Sequence, residues 1–132
     1  MKDIQTLLFA NDAFYAAFAQ QDLPAMTALW SSREPVACLH PGWPPLVGRE
    51  TVLRSWASIL EVSNTDITHE DPDAWREGVV GIVICNERLG GSLLTATNLF
   101  RLEEERWLLF HHQAGAVAAV PPPPPPRPGT LQ

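Results

Sequence analysis

Apolar residues recur at helical spacing near the start of the chain, where Ile4, Leu7, Leu8, Phe14 and Phe18 form one stripe. The pattern predicts a helix from about residue 3 to residue 20, capped by Asp3, with Asn11 interrupting the stripe. A shorter helix follows, started by Asp22 with Pro24 in its first turn, and Leu23, Met26, Leu29 and Trp30 form its apolar side. Residues 35 to 40 read as a strand. A third helix is expected from about Gly48 to Leu60, with Val52, Leu53, Trp56, Ile59 and Leu60 on one face.

After this point the period changes from helical to extended. Thr65 to Glu70 reads as a short strand, and Asp71-Pro72-Asp73 as a turn. Val79 to Cys85 is β-branched and almost uninterrupted, the pattern of a strand covered on both faces. Gly90-Gly91 signals a hairpin into a strand from Leu93 to Leu102. Glu103-Glu104-Glu105 reads as a solvated turn, and Trp107 to Val117 as the last strand. Three helices first and consecutive antiparallel strands afterwards predict an α+β domain, with the helices packed on one face of a curved sheet. This domain is expected to span residues 1–120. Six consecutive prolines begin the segment 121–132, which reads as a polyproline tail outside the core.

Composition narrows the partners. The chain has 132 residues, enough for one domain with a real core, and a net charge of −6. Lys2 is the only lysine, so no basic stripe exists to follow a phosphate backbone and no Schiff-base lysine is at hand. Nucleic acid is excluded as a partner on these grounds. No stretch reaches the apolar length of a membrane span, and the beginning of the chain lacks a signal-peptide pattern. Cys38 and Cys85 both lie in apolar, strand-like runs and are expected as buried free thiols. These features together read as a cytoplasmic protein.

Candidate chemistry gathers between Cys38 and Glu50. An apolar strand delivers His40 at its end, Pro41 stops the pairing, and Gly42 permits a turn. Trp43, Pro44 and Pro45 then form a stiff loop carrying one very large side chain, a combination expected at the lip of a cavity. His111 and His112 are adjacent on the last strand, so they point to opposite sides and cannot chelate one metal together. Strict alternation would put Leu108, Phe110, His112 and Ala114 on one face, and Trp107, Leu109, His111 and Gln113 on the other. A metal shared by His40, His112 and Glu87 finds no support in ligand spacing, and no phosphate loop or dinucleotide fingerprint occurs. No cofactor and no metal are expected.

The order of elements resembles the nuclear transport factor 2-like superfamily, the cone-shaped fold of ketosteroid isomerases and SnoaL-like cyclases. The resemblance covers roughly residues 4 to 117. It is carried by Gln21-Asp22-Leu23, by the segment from His40 to Arg49, by Ala96-Thr-Asn-Leu-Phe100, and by Trp107 to Gly115. These segments are similar to the bacterial branch of SnoaL-like proteins, and also to the association domain of calmodulin-dependent kinase. One such fold hosts isomerases, hydrolases, dehydratases, cyclases and pure assembly modules.

The resemblance implies residue roles. In ketosteroid isomerases the proton is moved by an aspartate before a proline at the end of the first strand; here His40 precedes Pro41. The family's oxyanion tyrosine falls on Phe14, and its second oxyanion donor falls on Asn98. Two of these positions keep a polar group and one has lost it, a departure from steroid isomerase chemistry. The expectation is a cavity binding a small, mainly apolar molecule, with His40 as base and Asn98 as polarising donor. Phe14, Trp43, Trp56 and His112 are expected to line it, and His111 to face the outer side of the sheet. The competing expectation is a non-catalytic dimerisation or ligand-binding module. In either case a homodimer through the outer sheet face is implied.

Overall fold

The computed structural model describes residues 3–62, 66–118 and 123–126. Helix α1 runs Asp3–Ala19, α2 Leu23–Leu29 and α3 Arg49–Val62; β1 is Ala37–Leu39 and β2 Leu46–Val47. Four long strands follow: β3 Ile67–Glu77, β4 Val80–Leu89, β5 Ser92–Glu103 and β6 Arg106–Ala116. They form one six-stranded sheet in the order β2-β1-β6-β5-β4-β3. All neighbours are antiparallel except β1 and β6, which run parallel, so the sheet is mixed as well as mostly antiparallel. Expected and observed architecture agree: α+β, with the three described helices against the sheet.

Local chemistry explains the helix boundaries. Asp22 accepts a hydrogen bond from the Ala25 amide at 3.0 Å and Pro24 occupies the first turn of α2, where its missing N–H costs nothing. The core between helices and sheet holds Leu7, Phe14, Met26, Trp30, Val52, Trp56, Val83, Phe100 and Leu109, each almost wholly buried. Close approach of α1 to β4 needs Gly81, since a Cβ there would meet Leu7 Cδ1 at 2.6 Å. Ile4 of the expected stripe is exposed, whereas Asn11 and Tyr15 are buried on that helix. The buried face of α1 is therefore partly polar.

Several strand readings need correction. Asp71-Pro72-Asp73 is no turn; β3 continues through it with a register shift between Glu70 and Asp73, and Asp71 takes a φ of +55°. A bulge absorbs the one extra residue, and Pro72 is tolerated because β3 is the sheet's edge. Nor is the β-branched run in β4 covered on both faces of this chain. Its burial alternates, leaving Ile84 40% exposed while Val83 and Cys85 are buried. A second register shift between Leu99 and Phe100 makes Phe110 an extra residue in β6. Alternation changes phase there, so Trp107 and Leu109 share the buried face with His112 and Ala114. The two-residue strand β2 had no sequence signal of its own.

Thr65, where the third strand was expected to begin, lies outside the described residues. Of the proline tail only Pro123–Pro126 are described, exposed and without regular structure; its remainder lies outside them too.

Candidate functional site

His40 stands just past the end of β1, where the Trp43 amide donates to its carbonyl at 3.0 Å and Gly42 turns the chain at a φ of +81°. This tight turn sends the loop back as β2 and then into α3. Trp56 of α3 and Trp43 of the loop both meet the His40 ring edge-on, each with centroids 4.9 Å away. The imidazole is thus held between two indoles at the mouth of a cavity of about 190 Å³. Phe18, Pro41, Trp43, Trp56, Ile59 and Leu89 form its apolar wall, and His40, Glu87 and His112 are its polar groups. A larger depression of about 470 Å³ lies among Arg33, Glu103, Glu104 and Arg106. Two of its charged groups pair, Arg33 lying 3.4 Å from Glu103, and Glu103 also accepts from Ser31 at 2.5 Å. Glu103 is therefore a tethering carboxylate rather than a solvated turn residue. The smaller cavity is the one bordered by histidines.

Hydrogen bonds fix the protons in this cavity. The Ser55 hydroxyl donates its one hydrogen to the Val52 carbonyl at 2.6 Å, so towards His40 Nε2, 2.9 Å away, it can only accept. His40 therefore carries its hydrogen on Nε2 and its lone pair on Nδ1. His112 resolves in the opposite sense: its Nδ1 lies 2.5 Å from Asn98 Oδ1, an acceptor, so Nδ1 holds the hydrogen and Nε2 the lone pair. Asn98 is oriented in turn by donating through Nδ2 to Asn11 Oδ1 at 2.9 Å and to the Tyr15 hydroxyl at 3.1 Å. Tyr15 donates onward to Glu87 Oε2 at 2.5 Å.

Burial sets the electrostatics. It lowers His40 to about 4 and His112 to about 3, the latter aided by repulsion from His40 and His111. Both rings are neutral at pH 7. Burial also raises the Glu87 carboxyl, against the opposing pull of the Tyr15 hydrogen bond and His69. Cys38, within 3.6 Å of His40 Nε2, is pushed up to about 12 by burial and is no thiolate nucleophile. Among the described residues no group of three or more His, Cys, Asp or Glu could hold a metal ion. Nor is any described helix long and apolar enough to cross a membrane.

The residues singled out in the sequence are distributed unequally. His40, Trp43, Trp56 and His112 line the cavity together. Phe14 does not; it is fully buried behind the wall, edge-on to Trp56 at 5.5 Å and 5.0 Å from His112. Asn98 does not line it either, and both hydrogens of its amide are taken by Asn11 and Tyr15. It has no N–H left to polarise a ligand, and its contact with the site runs through His112. The sequence reading missed Tyr15, one residue after the position where the oxyanion tyrosine was sought, and it gave Glu87 no role beyond an unsupported metal. Alternation from Val83 and Cys85 would have placed Glu87 on the buried face.

A helix-backed sheet enclosing a small cavity of this kind defines the class, and comparison defines the family. A family model described as a SnoaL-like domain matches residues 8–119, and the chain belongs to that family. A crystal structure of a candidate dehydratase of the NTF2-like family from Streptomyces avermitilis is 34% identical, with a TM-score of 0.83, covering 89% of this chain and 97% of that one. A candidate association domain of calcium/calmodulin-dependent protein kinase type II from Thiobacillus denitrificans is 32% identical over 82% of this chain and 92% of its own, with a TM-score of 0.76. A ketosteroid isomerase-like protein from Erwinia carotovora atroseptica shares the fold at 17% identity and a TM-score of 0.74, covering 89% and 98%. No curated protein matches the chain significantly.

Proposed function

We propose that this domain binds a small, mainly apolar organic molecule of about one ring in size and moves a proton on it, as an isomerase or lyase, with His40 Nδ1 as the base. One observation carries the reading: two neutral imidazoles, each with its hydrogen engaged inside the protein, border one small apolar cavity. A preformed cavity of about 150 Å³ accepts benzene, so about 190 Å³ suits a single substituted ring and is far too small for a steroid. The candidate dehydratase from Streptomyces, whose likeness spans nearly its whole length, supports the lyase side. Asn98 acts here as a positioning residue that fixes the His112 tautomer. Two free buried thiols fit a cytoplasmic setting.

Cyclohexenone serves as a test ligand, because Trp43 and Trp56 report directly on the cavity. Saturable quenching of tryptophan fluorescence is expected in the wild type and not in Leu89→Trp, which fills the space. Equal binding by the filled variant, or none by the wild type, refutes the reading.

We also propose a two-fold homodimer through the outer face of the sheet. Trp75, Ile82, Leu99 and His111 form a row across β3, β4, β5 and β6, with Ile84 beside it. Trp75 and Ile84 are each 40% exposed, more apolar surface than a monomer's sheet favours. Light scattering should return twice the chain mass at tens of micromolar, and Ile84→Arg should return the monomer. A monomeric wild type refutes it.

A further inference from the structure

Glu87 is the one carboxyl bordering the cavity, and it has no cationic partner among the described residues. It is 2% exposed, on the buried face of β4. The titratable groups around it are Tyr15 on α1, Cys85 on its own strand, His69 opposite it on β3, Cys38 on β1, and the cavity histidines His40 and His112. His69 is engaged elsewhere, 2.7 Å from Asp12 Oδ1 and stacked on the Tyr15 ring at 4.5 Å. A carboxyl in apolar surroundings without a cation takes up a proton rather than remain charged. Tyr15 occupies Oε2, so that proton belongs on Oε1, for which no protein partner exists among the described residues.

Apart from the indole N–H groups of Trp43 and Trp56, donors are scarce in the cavity. The hydrogens of Asn98, Tyr15, Ser55 and both histidines all point into the protein. A site built to hold an oxyanion presents several fixed donors. This one is bordered by two neutral imidazoles, two indoles and one carboxyl able to give up a proton.

We propose that Glu87 is the proton donor of the site and that the substrate is a small β-hydroxy carbonyl compound, from which the site removes water. This rests on the reading of the cavity given above. His40 Nδ1 takes the proton from the carbon next to the carbonyl, and the electrons of that C–H bond become the new carbon–carbon π bond. The C–O bond at the β-carbon breaks, and the departing hydroxyl takes the Glu87 proton and leaves as water. Imidazolium and carboxylate are then reset through solvent, with no oxidant or co-reactant.

Infrared spectroscopy tests the donor without a substrate. At pH 7 the carbonyl stretch of a protonated carboxylic acid is expected in the wild type and absent in Glu87→Gln; its absence from the wild type overturns the proposal. The reaction is tested with 3-hydroxycyclohexanone and 3-cyclohexen-1-one, which give the same conjugated enone by dehydration and by proton shift. Wild type should dehydrate the first, and Glu87→Gln, which keeps a hydrogen-bond donor but no transferable proton, should slow this by about a hundredfold or more. A folded Glu87→Gln protein with undiminished dehydration overturns the proposal. So does a wild type that binds cyclohexenone yet leaves 3-hydroxycyclohexanone unchanged, or that converts only 3-cyclohexen-1-one. Each of these last two results leaves the cavity reading standing, whereas failure to bind cyclohexenone refutes both.

Discussion

The melting temperature of this protein should fall steeply as pH drops from about 6.5 towards 4. Burial lowers His40 from 6.5 to about 4 and His112 from 6.5 to about 3 in the folded state. Unfolding releases both rings to water, so below pH 6.5 the unfolded chain binds more protons than the folded one. Stability from a depressed histidine is therefore complete above pH 6.5 and is lost as pH falls below it. At about 1.4 kcal/mol for each tenfold change in proton affinity, the full losses are about 3 kcal/mol for His40 and about 5 kcal/mol for His112. A domain of this kind has about 5–15 kcal/mol in total, so it should unfold before His112 protonates.

Glu87 runs the other way. Its carboxyl is raised by burial, so its contribution is fully present below the unfolded value and is lost as pH rises through the folded one. The net slope still belongs to the two histidines, whose opposing partner is single. Thermal melts between pH 7 and pH 4.5 on wild type and His112→Gln decide the matter. Gln can still donate to Asn98 Oδ1 but cannot take up a proton, so its acid slope should be clearly shallower. A flat wild-type profile, or an unchanged slope in the variant, sinks the account.

The three helices, the consecutive antiparallel strands and the turn after His40 were legible because each follows from a local rule. Asp22 with Pro24 starts a helix here through its cap and first-turn proline, and His40-Pro41-Gly42 ends a strand in a turn. The bulges were not legible. Phe110 and the residues after Glu70 break the register through pairing with neighbouring strands, and a period-two pattern has no means of announcing a lost count. This is why Trp107 and Leu109 were assigned to the wrong side of β6.

The polar network was lost for a related reason. Phe14 and Tyr15 are consecutive on α1, yet both are buried: Phe14 meets Trp56 and His112, and Tyr15 meets Glu87 and Asn98. A helix set against a sheet can bury adjacent residues in two directions, which a single apolar stripe does not express. Asn11 interrupted that stripe because it accepts from Asn98 across 87 positions of sequence. Asn98 itself was found by its place in the family pattern but given the wrong partner. Only the surrounding donors and acceptors reveal that its hydrogens face inward.

His40→Gln should fold, bind cyclohexenone and lose turnover by about a hundredfold or more. The geometry makes this substitution clean. His40 uses Nε2–H to reach Ser55, and a glutamine N–H can make the same hydrogen bond, so the turn after β1 keeps its anchor. What disappears is the basic lone pair on Nδ1, since no glutamine atom can take up a proton at neutral pH. A ring lowered to about 4 also changes the expected pH profile. The acid limb of kcat/KM, which reports the free enzyme, should fall near pH 4 and not near 6.5, and should vanish in the variant. If His40 were only structural, the variant, with its Ser55 hydrogen bond kept, would show a rate per folded molecule unchanged from wild type. A folded variant with wild-type turnover removes the base role from His40 and transfers it to His112 Nε2, the other lone pair on the cavity. His112→Gln, assayed on the same substrates, then carries the decision.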